Sequence, residues 1–301
     1  MHPVVYLPLL LPVVAAGSAR RVAQRLDPRV ATWVLTVSSV LLAAASGLVL
    51  AALAATALGQ IRIVARAGDW SIRILRRHYP VGPYQAAVAG LLLVVAVGAL
   101  VTVVVRRACA LVDTARAARH LPGAGSLTVL DDPAPHAYTL PGRPGRIVVS
   151  TGLLRALDPA ERKVLLAHER AHLRYIHHAF VTVAQLAAAT NPLLRPTAKA
   201  VGYTVERWAD EHAAAVVGDR ALAARAIGKA ALLAGLSTAR RGPVPMRIAA
   251  LLSAPPRRPV AWVAATAVVL VLATLAAAQT ARDVHAAFEL AERPAVRAPL
   301  S

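Results

Sequence analysis

His168-Glu169-Arg170-Ala171-His172 decides how this chain is read. Two imidazoles four residues apart, with a glutamate next to the first, form an H-E-x-x-H pattern. On an α-helix positions i and i+4 lie one above the other, so both rings can reach a single ion from one face, with Glu169 beside the open coordination position. Zinc suits such donors, because neutral imidazole is a good ligand for it and hydrolytic zinc sites keep one position for water. Alone the pentad is weak, since chance produces it in roughly one chain in a hundred of this length. Its surroundings strengthen it. Asp158-Pro159-Ala160-Glu161 reads as a helix start, with Asp at the N-cap, Pro at N1 and Glu at N3 in a capping box. Val164, Leu165, Leu166, Ala167 and Ala171 then supply the apolar surface that would bury the helix.

Catalytic zinc usually has three protein ligands and a water. The best candidate for the third is Glu206, in Glu206-Arg207-Trp208-Ala209-Asp210, on a second helical stretch after the break at Asn191-Pro192. Asp210 is one turn further on the same face, where its carboxylate could receive the N–H of a ligating imidazole. The plainer reading of this pair is a solvated acidic couple on a surface helix. His177 and His178 follow His172 by five and six residues, too far around the helix to join the same ion, and read as surface or membrane-interface residues. His212 points away from the Glu206 face. Cys109 is the only cysteine, so no intramolecular disulfide forms, and a lone thiol with no activating partner reads as inert.

Taken together these motifs resemble the membrane-embedded zinc peptidases of the M48 type, the CAAX prenyl protease and HtpX group, and the related M56 type of β-lactam sensor proteases. The resemblance covers about residues 108 to 255. It rests on the pentad and the E-x-x-A-D run from Glu206 to Asp210, on Ala137-Tyr138-Thr139-Leu140-Pro141-Gly142, on Ile147 to Leu154 with its Gly152-Leu153-Leu154, and on Pro245-Met246-Arg247-Ile248. It implies a zincin-like domain with one Zn2+ per chain held by His168, His172 and Glu206, and with Glu169 as general base. It also implies an edge strand, Ala137 to Leu140, that pairs with extended substrate, making Tyr138 a candidate substrate contact; a plain structural hairpin explains that strand equally well. In the prenyl protease group a histidine precedes the proline-rich element and lies with the later arginine near the reacting carbonyl. Arg241 stands where that histidine would be, and Arg247 matches the arginine. Both are candidate transition-state contacts; the plainer alternative is a basic loop at the lipid headgroups.

Composition points to a membrane protein. The chain of 301 residues is 57% hydrophobic, with a mean hydropathy of +0.55. Its net charge of +19 comes mostly from arginines scattered through loops, and only 4% of residues are aromatic, which argues against nucleic-acid binding. Anionic lipid headgroups explain the charge with fewer assumptions. Apolar stretches predict transmembrane helices at about 3–18, 30–58 and 81–105, with an interfacial amphipathic segment over Gln60 to Pro80. A fourth helix is expected at 259–280, from about Pro259 to Ala278, followed by a short tail, 281–301. The membrane region is thus 1–107 and the metallopeptidase domain 108–258.

The fold expected is α+β: about four transmembrane helices carrying a mostly helical domain with a small β-sheet. Short strands are expected at Ser126 to Leu130, His136 to Leu140 and Arg146 to Ser150. Four spans put the loop holding Arg20, Arg21, Arg25 and Arg29 on the side of the catalytic segment, and the positive-inside rule makes that side cytoplasmic, in a bacterial plasma membrane by composition. The arginine-rich 60–80 loop argues the other way. The run Ala179 to Thr190 either dips into the bilayer or packs as a core helix. The activity expected is zinc-dependent endopeptidase hydrolysis of protein substrates at the membrane. Its alternatives are an M56-like signalling protease that cleaves a cytoplasmic repressor and an inactive zinc-binding scaffold. Substrate identity and oligomeric state are not encoded in any motif.

Overall fold

The computed structural model describes residues 6–292 apart from 69, 79–81, 122–124, 143–144, 235–243 and 255–259. Residues 3–5 of the first expected span, Pro259 at the start of the fourth and residues 293–301 of the expected tail lie outside this set. Two helices open the chain, α1 (Leu7–Arg25) and α2 (Pro28–Leu58). Asp27 caps α2 by accepting from the backbone N–H groups of Arg29 and Val30, and Pro28 occupies the first turn, where its missing N–H costs nothing. Two short helices, α3 (Arg62–Ala67) and α4 (Ile72–His78), occupy the segment expected to be amphipathic. Trp70 Nε1 donates to Gly59 O at 2.8 Å and its ring meets Phe288 edge-on, which folds this segment back on the far end of α2. Helix α5 (Pro83–His120) is a long apolar rod with most of its side chains exposed.

Three strands follow, β1 (Leu127–Leu130), β2 (Ala137–Leu140) and β3 (Arg146–Ser150), within a residue of the expected positions. They form one sheet in the order β1-β3-β2, with β1 parallel and β2 antiparallel to β3. Strand β3 is central and buried, and β2 is an outer strand beside the pentad helix. Helix α6 (Thr151–Ala156) starts at once from β3. Its Gly152 lies so close to the 131–135 loop that a Cβ there would fall 2.0 Å from Pro133 O, and its N–H donates to Asp132 O. Only glycine permits that approach.

Helix α7 (Pro159–Arg174) carries the pentad. The capping box forms as the sequence indicates: Asp158 accepts from Glu161 N–H at 2.8 Å and Glu161 from Asp158 N–H at 2.9 Å. Helix α8 (His177–Thr190), a 3-10 turn at Pro192–Leu194 and α9 (Arg195–Val217) then make a hairpin. It lies along α1 and α2 in shared apolar clusters. At its base Thr32 donates to Thr204 at 2.9 Å; at its tip Asn191 donates to Ser46 Oγ at 3.1 Å. Those fourteen residues of α2 correspond to about 21 Å of helix.

Helices α10 (Arg220–Leu233), α11 (Val244–Leu252) and α12 (Val260–Glu292) complete the chain. Arg220 pairs with Glu211 and donates to the carbonyls of Ala250 and Leu251, which fixes α11 against α9. Where a tail was expected after residue 280, α12 runs on to Glu292 and packs Val284, Ala287 and Ala291 near Leu75 and α2. Among the described residues, three helices are long and apolar enough to cross a membrane: Pro28–Leu58, Tyr84–Arg119 and Thr266–Glu292. The first of the four expected spans falls on α1, whose second half carries Arg20, Arg21 and Arg25, and it is not in that set.

Candidate metal centre

Helix geometry brings the two pentad imidazoles together on the face of α7 that meets α9. His168 Nε2 and His172 Nε2 stand 3.1 Å apart. Glu206, from α9, offers Oε2 at 3.7 Å from the first and Oε1 at 3.7 Å from the second. The three donors lie within 4.8 Å of one another. Zinc bonds of 2.0–2.1 Å in a tetrahedron require donors about 3.3 Å apart, so this set needs only a small adjustment to close on an ion.

Groups behind each donor fix its direction. His168 Nδ1 is 3.0 Å from Asp210 Oδ1, on the same side of α9 as Glu206. Arg247, from α11 and nearly fully buried, holds Asp210 with two hydrogen bonds, Nε to Oδ2 at 2.7 Å and NH2 to Oδ1 at 2.6 Å. It also pairs with Glu206 Oε2 at 2.9 Å. Burial alone would raise both carboxylates; Arg247 and the imidazoles outweigh it and hold Glu206 and Asp210 below the usual carboxylate range. Burial pulls the His168 imidazolium down, yet the Asp210 and Glu206 carboxylates outweigh it and lift its pKa to about 9. The pocket therefore favours a cation, whether proton or metal. For His172 burial prevails and the pKa is lowered, leaving its ring ready to coordinate.

His177 departs from the sequence reading. It is 1% exposed rather than on the surface, and its Nδ1 meets His172 Nδ1 at 3.1 Å. The reason lies at Ile176, whose φ of +52° ends α7 abruptly and swings the next residue behind the pentad. A β-branched residue in that conformation is strained, and such strain concentrates at functional sites. Burial and the neighbouring imidazoles hold the pKa of His177 down at about 3, so it stays neutral and can accept the proton on His172 Nδ1. Its ring packs against Tyr175 and Trp208.

Glu169, 6% exposed, accepts a hydrogen bond from Thr139 Oγ1 of β2 at 2.8 Å. Thr139 is a second residue that pattern reading passed over; its neighbour Tyr138 lies at the cleft lip, half exposed, beside His136. Arg241 lies outside the described residues. His178 is exposed and His212 contacts Tyr175 Oη at 3.3 Å; neither belongs to the donor group. A cleft of about 220 Å³ opens on the three donors, Glu169 and Thr139.

A His-His-Glu triad with a glutamate beside it, reached through a cleft between a sheet edge and a helix, could hold a metal ion with one position left open. Comparisons with known proteins find similarity in the segment that holds the pentad. The model of Peptidase family M48 matches residues 104–195, from the end of α5 through the pentad. The plastoglobule-localized metallopeptidase 48 of Arabidopsis thaliana, a chloroplast protein, is 42% identical over 65 residues, 21% of this chain. That match spans 19% of the plant protein's length. No solved structure matches. The segment around the pentad is thus similar to Peptidase family M48 and to this plant metallopeptidase.

Proposed function

We propose that this protein is a zinc-dependent endopeptidase of the membrane, with His168, His172 and Glu206 as ligands. The observation that carries the reading is the convergence of two Nε2 atoms and a carboxylate, backed by Asp210 and His177, at the floor of an open cleft. Bound there, zinc would supply Lewis acidity, polarising a scissile carbonyl and acidifying water. The chain's own groups do the rest. Glu169, oriented by Thr139, takes a proton from the attacking water and returns it to the leaving amine. Asp210 and His177 keep the imidazole Nε2 lone pairs turned inward. Arg247, occupied by two carboxylates, supports the ligand shell and anchors α11; this position favours a structural part over direct contact with the reacting carbonyl. Strand β2, an outer strand beside α7, is suited to pairing with an extended substrate, with Tyr138 at its lip.

The domain boundaries proposed are 1–107 for the membrane region, 108–258 for a zincin-like catalytic domain and 259–280 for the last crossing. The three long apolar helices support a multi-pass protein, and α1 with the α8–α9 hairpin adds further apolar bulk against α2. The arginines at the near ends of α1, α2 and α5 support a cytoplasmic catalytic side. An intact Glu169 in the cleft favours an enzyme over a scaffold.

The test is proteolysis of casein by detergent-purified protein, wild type against Glu169→Gln, with zinc measured in both. Activity in the wild type and zinc without activity in the variant are expected. A wild type that retains no zinc after reconstitution would defeat the reading.

A further inference from the structure

Two cavities of different chemistry meet at the metal centre. The 220 Å³ cleft is walled, beyond the site groups, by Ala226, Ile227, Ala230 and Ala231 of α10 and Val244 of α11, all apolar. A second cavity of about 320 Å³ lies between α5, α8 and α9, with Arg107, His178, Thr182 and Gly202 on its walls. The two share Thr139, His172 and Glu206. Strand β2 leads from one to the other: Tyr138 borders the apolar arm, Thr139 both, and Pro141, just past the strand, the second arm. An extended chain paired with the outer edge of β2 therefore passes through both arms with a peptide bond at the donors.

The second arm is short of negative charge. Glu206 is its one carboxylate among the described lining residues, and Arg247 and the imidazoles already engage it. Arg107 is held by an amide, Gln185 Oε1, so its position is set while its charge is not neutralised by that partner. A guanidinium carries five N–H donors and matches a carboxylate in geometry. The floor is open as well, since a Cβ added at Gly202 would touch nothing within 4 Å.

Resting on the proteolytic reading, we infer that the preferred substrates carry an acidic side chain in the Arg107 arm and an aliphatic side chain in the α10–α11 arm, on opposite sides of the scissile bond. Antiparallel pairing, the more stable kind and the one β2 makes with β3, runs the substrate from the Arg107 arm to the apolar arm. The acid thus lies on the N-terminal side of the cut and the aliphatic residue on the C-terminal side.

The experiment is cleavage of a mixed peptide library by the zinc-loaded full chain, with cut sites read by mass spectrometry. Wild type should enrich Asp and Glu within three residues before the cut and Ala, Val, Leu or Ile just after it. Arg107→Glu should replace the acidic preference by a basic one and leave the aliphatic preference intact. Arg106→Glu, next to it but outside the cavity lining, should change neither. Cleavage without an acidic preference, or a preference that survives Arg107→Glu or is lost equally in Arg106→Glu, overturns the inference while leaving the peptidase reading standing. If zinc-loaded wild type cuts nothing, the peptidase reading fails, and binding to Glu169→Gln then judges recognition alone. There an acidic-aliphatic fluorescent peptide should bind about tenfold more tightly than its Lys-for-Glu counterpart, with the order reversed by Arg107→Glu. Equal binding overturns the inference.

Discussion

At His172 the ring is held from behind by a second histidine, where a ligating histidine commonly has a carboxylate or a carbonyl. Because Nδ1 of His177 must accept the His172 proton, His177→Leu should weaken zinc binding by about 10–100-fold, with His177→Gln, whose amide oxygen can accept, recovering part of it. Competition against a chromogenic chelator measures this; unchanged affinity in His177→Leu would reduce His177 to a packing residue. That His168 and His172 share one helix face, and Glu206 and Asp210 another, was legible because fixed spacing on a helix decides which side chains align. His177 was not. On a continuous helix a residue five past His172 turns off the face, and neither glycine nor proline marks the break that Ile176 makes in the left-handed region. Thr139 was missed for a related reason: a threonine in a short strand looks like any other until the strand is placed against α7.

Among elements, the strands and α7 were readable from turn residues and the capping box, which are local signals. Gly152 illustrates a constraint whose cause is not local. Its partner atoms belong to the 131–135 loop, twenty residues earlier, and backbone cannot give way as a flexible side chain can. Gly152→Ala should therefore lower stability by about 1–3 kcal/mol through overpacking, read as a shift of the unfolding midpoint in denaturant. A change below the error of that measurement would show that the loop adjusts freely. The α8–α9 hairpin was left open at the sequence level because Ala179 to Thr190 is too short to cross a bilayer and has the composition of a core helix as well. It packs along α2 rather than against the sheet, so its depth follows that of α2.

For the whole molecule, that packing fixes the level of the candidate metal centre relative to α2. If α2 crosses the bilayer, the Asn191 tip lies about 21 Å deeper than Thr204, well inside a hydrocarbon layer of about 30 Å, and Glu206 lies near the headgroups. In a Cys109→Ser background, Leu193→Cys should resist a membrane-impermeant maleimide in intact vesicles and react once detergent is added. Arg174→Cys, near the site and exposed, should react in vesicles whose catalytic face is outward. Rapid labelling at 193 in intact vesicles would mean the hairpin is not embedded. The placing of the α1 arginines and the lengths of α5 and α12 depend on tertiary packing, and composition alone blurs where each apolar run ends.

The most direct test of the central claim is X-ray absorption at the zinc edge of the purified, zinc-loaded protein. The expected spectrum has one zinc per chain, two imidazoles and oxygen donors at about 2.0–2.1 Å, and no sulfur. Glu206→Ala should lose an oxygen donor or the ion itself, whereas Glu169→Gln should leave the spectrum unchanged. A sulfur-coordinated zinc, a site without imidazole scattering, or a spectrum indifferent to Glu206→Ala would contradict the assignment of His168, His172 and Glu206.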